Sequence, residues 1–207
     1  MSEVHFVQPL CSAQVKPAAH VLARAFRSDP AFVYVLPQAQ RRESALAWLF
    51  ERLVAATLEA GRAFTTASLS GVALWLGPGR HTLPTSTLLA NGLALLPLTL
   101  GWRSFGRFLR LGRCTNQLHE RTIRDPHLVL FALGVDPARQ QQGIGRALLA
   151  PMLAEADANG LPCYLDTANA ANLAYYAALG FVFASERTIA EALVLRAMVR
   201  MPRQGQA

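Results

Sequence analysis

The residues best suited to chemistry lie in a glycine-containing loop at residues 140–145. An apolar run at 127–135 precedes the loop and predicts a buried strand, which Asp136 and Pro137 end. A helical pattern of apolar residues follows it. The first N–H groups of a helix have no helical partner, and glycine lets a ligand approach the backbone closely. The stretch therefore predicts an anion-binding site at a helix N-terminus.

Two familiar phosphate-binding loops do not fit this stretch. The dinucleotide fingerprint requires a third glycine where Leu148 stands. The nucleotide P-loop requires Gly-Lys-Ser/Thr where the chain has Arg146 and Ala147. The remaining pattern, Gln-x-x-Gly-x-Gly after a strand, also leaves open a tight turn that binds no ligand.

A second motif follows at the next predicted strand, residues 162–167, and the short helix after it. Asn169 and Tyr176 belong to this motif, which ends with Gly180 and Phe181. Gly180 suits the left-handed position after a helix, and Phe181 suits the apolar contact beyond it. The two motifs together resemble the signatures of the GCN5-related N-acetyltransferase (GNAT) family. The resemblance is closest to the puromycin acetyltransferase-like branch, which often has a proline where Pro151 stands.

The resemblance implies an α/β (α+β) fold with a mixed, mostly antiparallel sheet of six or seven strands and helices on both faces. The fourth and fifth strands, 127–135 and 162–167, would splay apart to admit the pantetheine arm of acetyl-CoA. One domain spanning residues 1–207 is implied, with a helical insert at about 80–126. The other strands are predicted at 4–8, 63–68, 71–76, 180–184 and 192–200.

Acetyl-CoA is the cofactor that the resemblance implies. Its pantetheine amides would pair with the end of the fourth strand, and its pyrophosphate would lie on the N–H groups of the loop. A solvated Arg146, and Asn169 or Asn172 as helix caps, remain alternatives. The predicted cofactor-binding residues are Leu133, Gly134, Val135, Gln140, Gln141, Gln142, Gly143, Ile144, Gly145, Arg146, Asn169, Asn172 and Tyr176.

Acetyl transfer to an amine requires a neutral amine, a polarised thioester carbonyl and a protonated leaving thiolate. Tyr176 matches the family's tyrosine and is predicted to donate its proton to the sulfur. Asp166 is the first candidate for the base, directly or through a water, although it could instead anchor substrate. Tyr175 stands where the family has an apolar residue and is predicted to be core.

The acceptor site is expected near the first two predicted helices, 15–26 and 41–60, and the aromatic connector 32–37 between them. By the resemblance, Phe32, Tyr34 and Trp48 would line this site, with burial in the core as the alternative. A cationic acceptor needs acidic residues, and those expected nearby are Asp29, Glu43 and Asp166.

Residues 80–126 are the part least like the family. The apolar stretch 88–100 is too short to span a bilayer, so it predicts a buried or interface helix. In the helix predicted at 102–111, Arg103, Arg107 and Arg110 share one face. This helix is predicted to be a lid over the acceptor site or a homodimer surface, with a membrane-surface element or plain packing as alternatives.

The composition limits the other possibilities. The chain has 207 residues, a formal charge of +7 and three widely spaced cysteines without metal-ligand spacing, so no metal site is expected. The first residues lack a signal-peptide pattern, which predicts a cytoplasmic protein.

Residues 61–119 contain six arginines and no Asp or Glu, a formal charge of 6 − 0 = +6. That basic segment could attract nucleic acid, but no nucleic-acid-binding module is recognisable.

The sequence therefore predicts an acetyl-CoA-dependent N-acetyltransferase that acts on a small-molecule amine. We expect no nucleic-acid partner and no membrane span. The rival hypothesis is a catalytically silent GNAT domain that binds acyl-CoA as a sensor, against which the presence of Tyr176 argues.

Overall fold

The computed structural model describes residues 6–79, 82–190 and 193–203 and contains a seven-stranded sheet flanked by helices. The strands are β1 (Val7–Pro9), β2 (Arg62–Thr66), β3 (Gly71–Leu76), β4 (Leu128–Val135), β5 (Cys163–Thr167), β6 (Val182–Ala190) and β7 (Leu193–Arg200). The helices are α1 (Val15–Ala25), α2 (Pro30–Val35), α3 (Ala39–Ala60), α4 (Thr85–Ala90), α5 (Leu96–Leu100), α6 (Trp102–Thr122), α7 (Ile144–Ala158) and α8 (Asn172–Ala177).

The sheet has the strand order β1-β2-β3-β4-β5-β7-β6. Neighbouring strands are antiparallel except β4 and β5, which are parallel. The predicted fold class is thereby confirmed. The predicted strands at 4–8 and 192–200 include residues 4, 5 and 192, which lie outside the described residues.

The parallel strands β4 and β5 separate soon after they begin. Their ladder contains the pairs Leu128 with Cys163 and Val129 with Tyr164. Beyond these pairs β4 continues to Val135 along β3, and β5 continues along β7. Each strand keeps its outer partner, so both stay extended while a gap opens between them. The predicted splay between the fourth and fifth strands is confirmed.

The sheet has a hydrophobic core on each face. All of β3 is buried, and its successive side chains point to opposite faces, as the strand period of two requires. Val72, Leu74 and Leu76 pack with α1 and α3, whereas Ala73 and Trp75 pack with α7. Helices therefore cover both faces, and the gap between β4 and β5 joins the two sides.

Gly134 lets α1 lie close against β4. A Cβ at this position would stand 2.8 Å from a Leu22 methyl carbon and 3.0 Å from the Ala25 Cβ. Both distances are shorter than side chains normally tolerate, so a larger residue would push α1 outward. Gly134 therefore sets the position of the helix beside the end of β4.

The aromatic connector predicted at residues 32–37 is wrong, because most of it belongs to α2. The Asp29 side chain accepts a hydrogen bond of 2.9 Å from the Ala31 N–H, and Pro30 occupies the first helical turn. An Asp cap followed by proline is a strong helix start. Asp29 and Pro30 also follow the end of α1. The sequence pattern was therefore interpreted only as the end of one helix and not as the start of the next.

The single helix predicted at 88–100 is also wrong. Gly92 adopts φ +83°, which favours glycine, and separates α4 from α5. The helix predicted at 102–111 runs on to Thr122, where the Thr122 hydroxyl lies 2.6 Å from the Ser185 hydroxyl on β6. Within the described ranges, no helix combines the length and apolar character needed to cross a bilayer.

Candidate active site

A cavity of about 280 Å³ occupies the gap between β4 and β5. Its walls come from β4, β5, α2, α3, α6 and the turn after α1. This volume is near the lower limit of typical ligand pockets, roughly 300 Å³, which favours a compact ligand. Most of the lining is apolar and much of it aromatic; the phenylalanines in it are Phe26, Phe32, Phe50, Phe108 and Phe131.

Two carboxylates, Asp29 and Asp166, contribute to the cavity wall. Burial raises the pKa of Asp166 to about 6, and the neighbouring charge of Asp29 acts in the same direction. Burial also raises the pKa of Asp29, opposed by the N–H groups of Ala31 and Phe32. Two half-buried acids with raised pKa values form a site that a cation would stabilise.

Tyr176 of α8 also belongs to the wall of this cavity. Its ring is buried and packs against Phe181 at 5.9 Å between centroids. Burial raises the pKa of Tyr176, and the charges of Asp29 and Asp166 raise it further. The hydroxyl therefore remains protonated at neutral pH and can act as a proton donor.

The turn after α8 fixes the position of Tyr176. The N–H groups of Leu179 and Phe181 donate to the Tyr176 carbonyl at 3.0 and 3.1 Å. Gly180 adopts φ +92°, as predicted for the residue that ends this helix. The Asn169 carboxamide accepts from the Ala171 N–H at 3.1 Å, which is a turn contact before the helix and not the predicted cap, because α8 has no side-chain cap.

Asn172 has a different position from Asn169. It lies among the cavity-lining residues, and its amide group is 3.5 Å from the Thr167 hydroxyl oxygen. Of the two asparagines in the predicted cofactor set, Asn172 is therefore the one whose side chain reaches the gap between the strands.

The loop after β4 is held in shape by contacts of its own. Asp136 forms an ion pair with Arg24 of α1, and this guanidinium lowers the pKa of Asp136. The Asp136 side chain also accepts from the Ala138 N–H at 3.1 Å. The Gln140 amide donates to the Val135 carbonyl at 3.2 Å. The loop is consequently folded before any ligand arrives.

The start of α7 has the features of an anion-binding site. Gly143 is the residue before the helix and has φ +82°, and no side chain caps the helix. Gln141 also has a positive φ, +62°. The first turn contains no acidic residue, and Arg146 is exposed there. The N–H groups of Ile144, Gly145 and Arg146 precede the first intrahelical donor.

Tyr175 is not a core residue, contrary to the prediction, because 37% of it is exposed. Its hydroxyl oxygen lies 2.7 Å from the position that a Cβ on Gly145 would occupy. Burial of the hydroxyl raises the pKa of Tyr175 to about 12, while Arg146 acts in the opposite direction. Tyr175 therefore links α8 to the loop, and only glycine leaves space for it.

Of the three aromatic residues predicted to line the acceptor site, Phe32 is the one found in the cavity wall. Tyr34 instead lies beneath the Arg107 guanidinium at 5.6 Å, and Trp48 lies beneath Arg52 at 3.9 Å. Residues two apart on a helix point in different directions, so α2 cannot direct both Phe32 and Tyr34 into the cavity. Glu43 lies outside the wall and pairs with Arg27 at 3.3 Å.

The sequence interpretation missed His119 and Tyr164 as cavity residues. The rings stack at 4.1 Å, and His119 Nε2 lies 2.6 Å from Nε2 of the buried His127. The buried Tyr164 hydroxyl has no hydrogen-bond partner among the described residues. The available signal was spacing, because Tyr164 and Asp166 are two apart on β5 and share a face. His119 gave no signal, since α6 was predicted to end before it.

Comparisons with known proteins agree with this architecture. A profile of the acetyltransferase (GNAT) family matches residues 99–181. An uncharacterised N-acetyltransferase of Schizosaccharomyces pombe is 31% identical over an alignment of 176 positions that covers 81% of this chain and 70% of the relative.

Two solved structures share the fold. That of histone acetyltransferase HPA2 and related acetyltransferase from Corynebacterium glutamicum is similar with a TM-score of 0.70 and 22% identity, over 100% of both chains. A structure from Salmonella typhimurium that carries acetyl-CoA as its cofactor has a TM-score of 0.51 and 16% identity, over 99% of this chain and 98% of that one. With the splayed strands, the glycine loop and the sequence match in place, the chain belongs to the GNAT family of acetyltransferases.

Proposed function

We propose that this acetyltransferase uses acetyl-CoA to acetylate the amine of a small molecule. The observation that carries the proposal is the gap between β4 and β5. At one end it meets the uncapped start of α7, which suits a pyrophosphate. At the other end it opens into the cavity lined by Asp29, Asp166 and Tyr176, which suits a cationic amine.

The cofactor end has a specific set of contacts available. The N–H groups from Gly143 to Arg146 would bind the pyrophosphate, with the Arg146 side chain as an additional charge. The backbone of Leu133 and Val135 on the side facing β5 would pair with the pantetheine amides. Gly134 would contribute through its backbone alone, because its Cα faces α1.

The reaction follows from the groups in the cavity. The amine nitrogen attacks the thioester carbonyl carbon, and the C–S bond breaks as the new C–N bond forms. Tyr176 donates its proton to the departing sulfur. Before the attack, the cationic amine loses one proton to Asp166, directly or through a water, which leaves the neutral nucleophile. The second proton leaves nitrogen for solvent as the C–N bond forms, and solvent restores the proton that Tyr176 gave to the sulfur. A carboxyl group with a pKa of about 6 is mostly ionised at pH 7 and is more basic than an ordinary aspartate.

The cavity wall supports a particular kind of acceptor. The aromatic lining favours an apolar body, and the two carboxylates favour a single cationic amine rather than a string of them. The closer likeness to the puromycin acetyltransferase-like branch rests on Pro151 and stays a prediction.

The rival hypothesis of a silent acyl-CoA sensor has less support. A sensor has no need of a proton donor beside the thioester, whereas Tyr176 and Asp166 both line the cavity. The proposed homodimer also stays a prediction, since nothing in the fold of a single chain bears on it.

The proposal is tested in two steps with the wild-type protein. A thermal-shift titration with acetyl-CoA should raise the melting temperature, because a ligand that binds only the folded state stabilises it. A thiol-release assay should then detect turnover with a compact aromatic amine, and mass spectrometry should detect its acetylated product. A linear polyamine and a short peptide serve as comparison acceptors.

The outcomes separate the hypotheses. Stabilisation by acetyl-CoA without thiol release for any amine would favour the sensor. The absence of stabilisation would contradict cofactor binding at this gap. Faster turnover of the polyamine than of the aromatic amine would contradict the acceptor chemistry while leaving the transferase activity in place.

A further inference from the structure

A second concave site, which we call the arginine pocket, lies where α2, α3 and α6 meet. It has a volume of about 480 Å³ and is bounded by the connector from α2 to α3 and by the start of α6. Four arginines line it, and its described lining contains no Asp or Glu, so its formal charge is +4. The arginines are Arg41, Arg42, Arg103 and Arg107.

Arg42 forms a buried, positively charged part of this pocket. Its guanidinium donates to the carbonyls of Leu36 at 2.6 Å, Arg27 at 3.1 Å and Pro37 at 3.0 Å. These carbonyls satisfy its donors without neutralising its charge. Within the described residues, the ion pairs include none of the four arginines. Buried charges are normally paired with a counter-charge, so an anion would complete this site.

The other arginines differ in how firmly they are held. Arg107 donates to the Tyr34 carbonyl at 3.2 Å and lies over the Tyr34 ring, which fixes its guanidinium. Arg41 and Arg103 are exposed at the rim. The pocket thus combines two restrained guanidinium groups with two that can adjust to a ligand.

Two helix N-termini add to the positive potential of the pocket. Gln38 precedes α3 and Gly101 precedes α6, and both residues belong to the pocket wall. Neither helix has a side-chain cap or an acidic residue in its first turn. The two helices contain 22 and 21 residues, so each has a full macrodipole with its positive end here.

We propose that the arginine pocket binds a phosphate-bearing small molecule, at a site separate from that of acetyl-CoA. Guanidinium groups match the oxygens of a phosphate with paired hydrogen bonds, and uncapped helix N-termini bind the same oxygens through N–H groups. A phosphate group carries up to two charges, which suits four arginines better than a single carboxylate does. The proposal does not depend on the acetyl acceptor or on the transfer reaction.

The location of the arginine pocket distinguishes it from the active-site cavity. Arg107 and Phe108 are adjacent on α6, yet Arg107 lines the arginine pocket and Phe108 lines the cavity. The lining of the arginine pocket contains no residue of the loop after β4, and the two linings share no residue. A molecule in the arginine pocket would therefore contact a different face of α6 from the one that the acceptor contacts.

The test is a calorimetric titration of the full chain with inorganic pyrophosphate at about 0.15 M salt, where exposed charges are well screened. Titrations are run both without CoA and in its excess, since pyrophosphate could also occupy the loop after β4. The variants are Arg41→Gln and Arg103→Gln, whose side chains are exposed, so both should fold. Arg110→Gln is the matched control, because Arg110 is exposed on α6 outside both cavities.

We expect pyrophosphate binding that persists with CoA present. Arg41→Gln and Arg103→Gln should each weaken it about tenfold, the usual size of one charge-assisted hydrogen bond. Arg110→Gln should leave it unchanged, and all three variants should keep the wild-type CoA affinity. The proposal is overturned by absence of binding in the presence of CoA, by unchanged affinity in both pocket variants, or by equal weakening in the Arg110 control.

Discussion

The two ends of the gap between β4 and β5 are constructed differently. The cofactor end comes from one continuous stretch, running from β4 through α7 and β5 to α8. The acceptor end adds α2, α3 and α6, which are distant from that stretch in sequence. The first end is defined by backbone groups and glycines, the second by side chains from several elements. Substitutions should therefore be able to change acceptor use and cofactor affinity separately.

The largest expected effect concerns Tyr176, where the two ends meet. Tyr176→Phe keeps the ring and its packing but removes the proton donor. The chemical step should slow by roughly 10² to 10⁴, the usual contribution of a general acid. Acetyl-CoA affinity should hardly change. Single-turnover rates are the measurement, because slow product release would hide the loss in steady-state kcat.

Tyr175→Phe is the control for this experiment. Tyr175 is adjacent in sequence but lies against Gly145, so the loss of its hydroxyl should affect the transfer rate only mildly. Wild-type single-turnover rates in Tyr176→Phe across the pH range would show that Tyr176 is not the donor.

The next largest effect tests the cofactor end alone. Gly145→Asp should weaken acetyl-CoA binding by about 10² or more, because a carboxylate would stand beside the pyrophosphate in place of an uncharged backbone. Gly145→Ala is the control for size, since its Cβ meets the same Tyr175 hydroxyl without adding charge. If calorimetry gave the same acetyl-CoA affinity for a folded Gly145→Asp protein as for wild type, the pyrophosphate would not bind at this loop.

Asp166→Asn tests the acceptor end through pH. Ionisation of Asp166 near pH 6 should make kcat/KM rise through that pH in the wild-type protein. The Asn variant should lose this rise and about 10² in rate. Glu43→Gln is the control, because Glu43 lies outside the cavity. A wild-type pH profile in Asp166→Asn would show that another group is the base.

The same substitution has a predictable effect on stability. The folded-state pKa of Asp166 is raised above its unfolded value of 3.8, so its ionised form destabilises the fold. This cost is present above about pH 6 and disappears as the pH falls toward 3.8. Asp166→Asn should therefore raise the melting temperature near pH 8 and give no gain near pH 4. A lower melting temperature at pH 8 would contradict burial as the cause of the shift.

The smallest effect compares two neighbours on α6. Phe108 lines the cavity, whereas Leu109 is 40% exposed and lies outside it. Phe108→Ala should raise the acceptor KM by roughly tenfold through lost apolar contact, with acetyl-CoA affinity unchanged. Leu109→Ala should leave both parameters near wild type. Steady-state kinetics at saturating acetyl-CoA provides the measurement, and equal KM values in the two variants would show that Phe108 does not contribute to acceptor binding.

The contrast between the two ends also explains what the sequence could predict. The start of α7 and the turn at Gly180 follow from local patterns, whereas the splay of β4 and β5 was implied by the family resemblance, and the structure confirms each of them. Local chemistry is decisive there, since glycine and strand patterns act over a few residues. The prediction that Tyr175 is a core residue was wrong, because its position depends on a tertiary contact with Gly145 that no local pattern records.

The acceptor end was less predictable for a physical reason. Phe32 and Tyr34 were expected to line it together, but α2 turns one of them away. His119 was overlooked because the extent of α6 depends on its packing against β6, which no local pattern records. Asp166 and Tyr164 share a face of β5, and this spacing was the available signal, not used, for a polar group beside the predicted base.

The most direct test of the account is a crystal structure of the protein with bound CoA. The account predicts the pyrophosphate on the N–H groups of Gly143 to Arg146, with the pantetheine arm between β4 and β5. It also predicts the sulfur within about 3.5 Å of the Tyr176 hydroxyl oxygen, the reach of a hydrogen bond to sulfur. A pyrophosphate bound elsewhere, or a sulfur atom pointing away from Tyr176, would contradict it.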